Sequence, residues 1–144
     1  MIERAERVGD PWSGQVAFPG GKVEAFDGSF EEAAARETEE EVGIRLGASS
    51  FLGYMSSVKA RTRDITVVPC VFELTEDATP TLSGEVVSTF WLPLAELLSG
   101  ESRSVYSPER GDMTGFPSFV YEGHVIWGLT ERILSAIVGD AAGG

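Results

Sequence analysis

The 144-residue sequence predicts an α/β sandwich with a mixed sheet, formed by a single domain over residues 1–144. Two segments with helical patterns, residues 29–42 and 124–140, flank several short runs of β-branched and aromatic residues. The hydrophobic content of 42% is enough for a core of ordinary globular size. A chain of this length leaves little room for a second domain.

The net charge of −12 makes nucleic acid polymers and anionic membranes poor partners, because Lys and Arg are outnumbered about two to one by acids. A phosphate-bearing substrate would need a metal ion between itself and this surface. The longest apolar runs have the length of a strand, and the first ten residues lack the apolar core of a signal peptide. One cysteine, Cys70, fits a reducing compartment, so we expect a cytoplasmic protein.

The first predicted helix is SFEEAAARETEEEV, residues 29–42. Ser29 can cap its N-terminus, and Glu32 stands at the offset of a capping box. Alanine and unbranched glutamate favour the helix interior. Gly43 supplies a residue that readily adopts the left-handed conformation, so the helix should end there.

The middle of the chain predicts strands. Residues 50–60 and 64–74 are rich in β-branched and aromatic side chains, and a polar turn at residues 61–63 joins them. Pro69 places the second strand near a sheet edge or a bulge. After a loop rich in Pro, Ser and Gly, residues 86–94 return to a strand pattern.

The last third predicts a short helix, a long loop and a long helix. Residues 93–99 form the short helix, and residues 100–116 form a surface loop that holds a short strand at RSVYS. Apolar residues at helical spacing predict an amphipathic helix over HVIWGLTERILSAIVGD, residues 124–140. His124, the only histidine, would head this helix and cap or pack there instead of acting in catalysis.

Six carboxylates crowd residues 31–41, where Arg36 is the only basic residue. Glu37, Glu40 and Glu41 share one helix face, where they repel one another and the C-terminal end of the helix dipole also disfavours anions. This pattern predicts a hard divalent cation, Mg²⁺ or Mn²⁺, on that face. The alternative is a solvated acidic face without a ligand. We expect the Glu41 side chain to face solvent.

Residues 21–44 resemble the signature of the Nudix hydrolases. The second half of the signature is represented by Arg36, Glu37, Thr38, Glu39, Glu40, Glu41, Val42, Gly43 and Ile44, with Thr38 the one soft match. The FPGG turn before it lets the backbone approach a ligand closely. The early acid of the signature falls at Gly28, so the neighbouring Asp27 is the candidate to replace it.

The resemblance implies a Nudix-type α/β/α sandwich and a set of roles for these residues. Glu37 and Glu41 would be the main metal ligands, Glu40 a ligand or a supporting residue, and the carbonyl of Gly21 a further ligand. Arg36 would orient the glutamates, and its guanidinium is independently suited to holding carboxylates in a fixed fork.

Glu85 is the candidate for an acid supplied by a distant loop, because it resembles in position the loop residue that often completes such sites. It would act as a third metal ligand or as the general base. One of the helix glutamates, such as Glu40, is the alternative base. The plain alternative for Glu85 is an ordinary exposed loop glutamate.

The flanking segments DPWSGQVAFPGGK and GHVIWGLTERIL resemble coenzyme A pyrophosphatases and their close relatives. Arg7 lies farther from Gly14 than the coenzyme A pattern expects, so ADP-ribose, dinucleotides and oxidised nucleotides stay open as substrates. The expected reaction is metal-assisted hydrolysis of a diphosphate linkage. The alternative is a catalytically silent Nudix-fold module that binds a nucleotide or a partner.

Several residues outside the signature are candidates for substrate contacts. Basic side chains that could hold the outer phosphates are Arg4, Arg7, Lys22 and either Arg61 or Arg63, although each is also plausible as a plain surface charge. Trp12, in a loop beside the signature, is the candidate to stack on an adenine ring, whereas Trp91 and Trp127 should pack in the core.

The resemblance also implies a strand that ends just before RAERVGD, and a chain that starts at Met1 leaves little sequence for it. We therefore expect the usual first strand to be missing and the chain to be a truncated form or to have a misassigned start. An uncovered sheet edge would favour a homodimer.

Overall fold

The computed structural model describes residues 1–61, 63–109 and 114–142, the side chains of residues 140–142 excepted. Of the predicted loop at residues 100–116, residues 110–113 lie outside this description. The strands are β1 (Ile2–Arg4), β2 (Val16–Ala17), β3 (Phe51–Tyr54), β4 (Val58–Lys59), β5 (Thr66–Val67), β6 (Cys70–Phe72), β7 (Val86–Thr89), β8 (Arg103–Tyr106), β9 (Phe116–Tyr121) and β10 (His124–Trp127). The helices are α1 (Phe30–Val42), α2 (Leu94–Ser99) and α3 (Gly128–Ala142), with a 3₁₀ turn at Ala48–Ser50.

The strands form four small sheets with the orders β2-β1-β7, β10-β9-β8, β3-β6 and β4-β5. Each pairing in the described residues is antiparallel, so the predicted mixed sheet is corrected there to antiparallel sheets. Short connections, such as those of β4 to β5 and of β9 to β10, allow only antiparallel pairing, since parallel strands need long crossovers. The mixture of helices and strands is consistent with the Nudix fold that the sequence predicts.

A strand is present where the sequence predicts one to be missing. Strand β1 occupies Ile2–Arg4 and lies between β2 and β7. Ile2 is only 1% exposed and packs with Val42 and Val86, and the N-terminal ammonium donates to the carbonyl of Phe90 at 2.8 Å. Burial of one isoleucine and pairing on both sides are enough to fix this three-residue strand in place.

Helix α1 confirms the predicted start and stop. The Ser29 hydroxyl accepts from the amide of Glu32, and the Glu32 carboxylate accepts in return from the amide of Gly28. Gly43 adopts φ 68° and donates its N–H to the carbonyl of Glu39. These bonds satisfy groups at both ends that have no partner inside the helix.

The middle segments form strands, as predicted, but each is interrupted. Residues 50–60 form β3 and β4, whereas residues 64–74 form β5 and β6, with Pro69 in the gap because proline has no N–H for the ladder. The short helix α2 after Pro93 and the strand β8 within the predicted loop are both confirmed.

The predicted long helix is wrong over its first four residues. Residues 124–127 are strand β10, paired with β9, and α3 begins only at Gly128. Glu122 and Gly123 have φ values of 48° and 83°, which fits the two central residues of a tight hairpin turn. Ile126 is fully buried in the strand, so its apolar character does not distinguish helix from strand.

Two groups of buried residues cover the two sides of the β2-β1-β7 sheet. On the α1 side lie Ile2, Val42 and Val86, and on the other side lie Val16, Leu97, Phe119, Ile126 and Leu134. Trp91 does not pack in the core as predicted, because it is 63% exposed. Trp127 is half-buried against Tyr106 and Phe116. In the described part of the chain, none of the helices has the length and apolar character to cross a membrane.

Candidate active site

The glycine loop before α1 lies directly against the acidic face of the helix. The amide of Gly20 donates to Oε2 of Glu41 at 2.9 Å. A Cβ atom at Gly21 would overlap the carboxylate of Glu37, so a residue other than glycine would have to displace that side chain. The structure therefore brings Gly21, Glu37 and Glu41 together, as the sequence predicts.

Glu41 is buried rather than facing solvent as expected, with 3% of its surface exposed. Burial raises its pKa, and the negative charges of Glu37 and Glu85 raise it further. The Gly20 amide and the guanidinium of Arg4, 3.9 Å away, act in the opposite direction without cancelling the effect. The Glu41 carboxyl thus keeps a raised pKa, chiefly because it is buried.

Arg36 holds three carboxylates at once. Its Nε and Nη2 donate to the two oxygens of Asp27 at 2.9 and 2.8 Å, and its Nη1 donates to Glu37 at 2.9 Å and Glu40 at 3.3 Å. The hydrogen bonds from Arg36 lower the pKa of Asp27. Asp27 therefore supplies a carboxylate beside the position where Gly28 has none, and it fixes the arginine that contacts the helix glutamates.

Glu40 contacts the site from its outer edge. Its side chain is 58% exposed, and its oxygens reach only the guanidinium of Arg36 among the bonds described. Across the described residues, no group of three or more Asp, Glu, His or Cys side chains is arranged to hold a metal ion. Nη1 of Arg36 instead contacts the carboxylates of both Glu37 and Glu40.

The loop that carries Glu85 is attached to the end of α1. The amides of Thr81 and Ser83 donate to the carbonyls of Val42 and Glu41 at 2.8 and 3.0 Å. The Glu85 side chain is half-exposed and accepts from Nη1 of Arg7 at 3.1 Å. Glu85 is close enough to Glu41 for its charge to raise the Glu41 pKa. The structure therefore brings the loop that carries Glu85 against the end of the helix that carries Glu41.

Asp10 joins this site, and sequence reasoning missed it. Its Oδ2 accepts from Arg4 at 3.0 Å, and its Oδ1 accepts from the amide of Trp12 at 3.0 Å. The Trp12 amide is the main cause of a lowered Asp10 pKa. An Asp two residues before the bonded amide is a recognisable turn motif, and the DPW segment carries that signal. Nε of Arg4 is inaccessible to solvent and has no acceptor in the described residues.

The remaining predicted substrate residues differ in their exposure and in the groups that they contact. Trp12 is half-buried, and the guanidinium of Arg63 lies 5.3 Å from its ring centroid, so one face of the ring is covered. Lys22 and Arg61 are exposed, and the carbonyl of Lys22 accepts from Arg36 at 3.1 Å. His124 lies in β10, where it stacks on Phe90 with ring centroids 4.2 Å apart.

A cavity of about 430 Å³ lies away from this site. It lies beyond the C-terminal end of α1 and is lined by Gly43, Ile44, Arg45, Gly47, Ser50 and residues 73–79. None of the clustered carboxylates Glu37, Glu41 and Glu85 contributes to it. The acidic site is instead formed where the glycine loop and the Glu85 loop meet α1.

Comparison with known proteins gives a family for this arrangement. A family model described as the NUDIX domain matches residues 1–110. The chain is also similar to proteins named Uncharacterized Nudix hydrolase NudL in Escherichia coli O1:K1 / APEC, Escherichia coli O157:H7 (strain EC4115 / EHEC) and Shigella boydii serotype 18 (strain CDC 3083-94 / BS512). Each is 37% identical over 124 residues, which make up 85% of this chain and 64% of the relative. The matched part of this chain thus spans less than two thirds of these relatives.

Proposed function

This chain belongs to the Nudix family, and from that premise we propose that it hydrolyses the diphosphate linkage of a nucleoside diphosphate derivative with the help of Mg²⁺ or Mn²⁺. The observation that carries the proposal is the environment of Glu41. A buried carboxylate whose pKa is raised by burial and by Glu37 and Glu85 lies under the amide of Gly20. Such a site is favourable for a bound cation.

The donor set suits a small hard cation. The groups that would hold it are carboxylate and carbonyl oxygens, from Glu37, Glu41, Glu40 and the backbone of Gly21. Glu37 and Glu40 would have to exchange their bonds with Arg36 for bonds to the ion. When bound, the ion would polarise a phosphoryl oxygen and lower the pKa of an attacking water.

The chain's own residues would orient the reaction. Water would form a bond to one phosphorus as the bond to the bridging oxygen breaks, and a phosphate ester would leave. Glu85 is our preferred acceptor for the proton of that water, because its loop is fixed to α1 and its side chain is half-exposed. Glu40 is the alternative acceptor. Arg4 would release Glu41 and Arg7 would release Glu85, and both arginines would bind the outer phosphates instead.

The geometry of the site supports a diphosphate substrate in general, and the flanking sequence segments narrow the proposed substrate class further. The flanking segments favour coenzyme A or an acyl-coenzyme A, as in the coenzyme A pyrophosphatase-like members of the family. ADP-ribose, dinucleotides and oxidised nucleotides are the other candidates. The NudL relatives carry no named substrate, so a mixed panel of diphosphate compounds is the appropriate first experiment.

The second candidate is a catalytically silent Nudix-fold module. It is favoured by the bonds of Arg36 to Glu37 and Glu40, which occupy two of the proposed ligands. Against it, Asp27 supplies the acid that Gly28 lacks, and among the salt bridges of the described residues the only cation paired with Glu41 is Arg4, at 3.9 Å. A module of this kind would bind a diphosphate compound and leave it intact.

Incubation of the protein with the panel and Mg²⁺ or Mn²⁺, followed by mass spectrometry of the products, separates the two candidates. We expect Glu41→Gln to lower turnover by roughly 100-fold or more, since a ligand charge is lost. Glu39→Gln is the matched control on the same helix, because Glu39 is half-exposed and bonds only to Arg45 among the described pairs. Full activity in Glu41→Gln would contradict the site assignment, and metal binding without product would favour the silent module.

The structure removes the argument on which the predicted homodimer depended. It depended on a sheet edge left open by a missing strand, and β1 fills the centre of its sheet. The oligomeric state stays a prediction, which light scattering on the purified protein tests directly.

A further inference from the structure

The guanidinium of Arg4 is incompletely bonded. Among the described hydrogen bonds its side chain makes one, from Nη2 to Oδ2 of Asp10 at 3.0 Å. Nη1 lies 3.9 Å from Oε1 of Glu41, which is too far for a hydrogen bond. Nε is shielded from solvent and has no acceptor in the described residues. A partly buried cation with unmet donors is costly, so its position needs a reason other than its own bonding.

The backbone around Arg4 is fixed on both sides. The N–H of Arg4 donates to the carbonyl of Gln15 at 3.0 Å, and the N–H of Ala5 donates to the carbonyl of Glu85 at 2.9 Å. The pairing of β1 with β7 changes its register between Glu3 and Arg4. Irregularities of this kind re-aim side chains, often next to an active site. Only the side chain of Arg4 is therefore left to be positioned.

Asp10 is a fixed anchor for that side chain. Its Oδ1 accepts from the amide of Trp12 at 3.0 Å, its own amide donates to the carbonyl of Arg7 at 3.2 Å, and its carbonyl accepts from the amide of Ser13 at 3.2 Å. The Trp12 amide is also the main cause of the lowered pKa of Asp10, so the side chain is a carboxylate at neutral pH. A charged acceptor in a fixed place holds the guanidinium of Arg4 more strongly than a neutral one would.

From this geometry we propose that Asp10 is a positioning residue, which holds the guanidinium of Arg4 beside Glu41 so that Nη1 binds a phosphate oxygen of a diphosphate. This role rests on the proposed function, which supplies the diphosphate as the ligand. Nη1 would exchange Glu41 for the phosphate oxygen while Nη2 keeps its bond to Asp10. Without that bond the arginine would have more rotamer freedom to lose on binding, so the diphosphate would bind more weakly.

The plain alternative is that the pair of Arg4 and Asp10 only fastens the loop of residues 5–15 to β1. Asp10→Asn separates the two roles. The asparagine oxygen can still accept from the amide of Trp12, so the turn is kept, whereas the negative charge toward Arg4 is lost. Glu6→Gln is the matched control, because it removes the same charge from an exposed side chain of the same loop.

Binding is measured by calorimetry with methylenediphosphonate, a diphosphate analogue that resists hydrolysis, in the presence of Mg²⁺. We expect Asp10→Asn to weaken binding by roughly tenfold and Arg4→Gln by at least as much, whereas Glu6→Gln should leave it unchanged. In the Arg4→Gln background, Asp10→Asn should have no further effect, because the two residues act as one unit. Additive losses, undiminished binding in Asp10→Asn, or no binding by the unmodified protein would overturn the proposal.

Thermal unfolding without metal or diphosphate gives a readout for the structural alternative. Under that alternative, Asp10→Asn lowers Tm while the protein that stays folded keeps its affinity for methylenediphosphonate, and this result would contradict the positioning role. We expect the loss of affinity at a temperature where circular dichroism shows both proteins to be fully folded.

Steady-state kinetics with the best panel compound separate positioning from a loss of active protein. We expect Asp10→Asn to raise KM by roughly tenfold with little change in kcat, because the weakened phosphate contact is present in the bound substrate and in the transition state alike. A lower kcat at unchanged KM would instead indicate partly inactive protein and would count against the proposal. If no panel compound is hydrolysed while the binding results hold, the hydrolase function fails and the role of Asp10 in diphosphate binding stands.

Discussion

Glu41 combines burial with negative charge, and this sets a pH dependence at the scale of one residue. Its folded-state pKa is raised above the ordinary value of 4.5, so ionising it costs folding free energy. That cost is absent below pH 4.5 and is fully present once the pH exceeds the folded-state pKa. We therefore expect Glu41→Gln, without metal, to melt at a higher temperature than the unmodified protein at pH 7.5.

The check is thermal unfolding followed at pH 7.5 and at pH 4, where the difference between the two proteins should shrink. Glu39→Gln provides the comparison, since an exposed ion pair such as Glu39 with Arg45 contributes little to stability. A Glu41→Gln protein that is less stable at pH 7.5 would mean that the Gly20 and Arg4 contacts outweigh the burial of the charge.

Asp27 is predicted to behave in the opposite sense. Its pKa is lowered below 3.8 mainly by the hydrogen bonds from Arg36, so its contribution to stability is present above pH 3.8 and is lost as the pH falls through the folded-state pKa. Asp27→Asn should lower the melting temperature at pH 7, with the difference closing under strongly acidic conditions.

Asp64→Asn is the matched control for Asp27→Asn, because Asp64 is 95% exposed in its pair with Lys59. The two variants should also differ in metal response, since only Asp27 orients the arginine that contacts Glu37 and Glu40. Equal melting temperatures for Asp27→Asn and the unmodified protein at pH 7 would remove the role given to Asp27.

At the scale of single residues, the sequence predicted which side chains come into contact but not how far each is shielded from solvent. Arg36 with its glutamates followed from the lack of any other cation nearby, and the structure has those bonds. The burial of Glu41 did not follow, because Gly20 and Arg4, which contact its carboxylate, are distant from it in sequence. Asp10 was not predicted, because its partner Arg4 reaches Glu41 only when β1 and α1 are neighbours in the fold.

At the scale of elements, the contact between the glycine loop and α1 gives a prediction with a built-in control. Gly21→Ala would drive a Cβ into the Glu37 carboxylate, whereas a Cβ at Gly20 meets no atom within 4 Å. Gly20→Ala also keeps the amide that donates to Glu41. We expect Gly21→Ala to lower turnover by roughly tenfold or more and Gly20→Ala to change it little.

Steady-state assays of the two variants with the best panel compound provide the measurement, with circular dichroism to show that both are folded. Equal losses in both would indicate that loop flexibility, and not the displaced carboxylate, is responsible. Equal activity in both would mean that Glu37 adjusts without cost.

Elements with local signals were predicted well. Ser29, Glu32 and Gly43 define α1 through bonds between residues near in sequence, so the sequence alone was sufficient. Strand β10 was not predicted, because its apolar residues suit a helix equally well and its partner β9 decides the matter. The Glu-Gly turn at residues 122–123 was the signal available for that hairpin.

At the scale of the whole molecule, the net charge of −12 makes cations a general influence on stability. A specific metal site should raise the stability of the protein by more than this general effect of charge does. At a metal concentration about 100 times Kd, binding adds about 2.7 kcal/mol to the free energy of unfolding, which corresponds to a rise of several degrees in Tm.

Thermal melts with Mg²⁺ or Mn²⁺ should show this rise, and KCl at matched ionic strength should show a smaller one, because it only screens the surface charge. Glu41→Gln should lose most of the metal-specific part. If KCl reproduces the entire effect, the divalent ions act through screening, and no metal site needs to be invoked.

The α/β class and the family followed from the sequence because binary patterning and a spaced motif are local properties. The antiparallel sheets and the contact between Tyr106 and Trp127 did not follow, since they depend on which strands become neighbours. Tyr106 and Trp127 are twenty-one positions apart in sequence and meet only because β8, β9 and β10 pair in order.

The attachment of residues 81–83 to the end of α1 has a consequence for dynamics. A Cβ at Gly43 would lie 3.0 Å from that of Thr81, and the amides of Thr81 and Ser83 are bonded to the last turn of the helix. Opening of this turn must therefore release both amides together. In hydrogen–deuterium exchange the two should share one protection factor with the amide of Gly43, so that Glu85 fluctuates with the helix as a single cooperative unit.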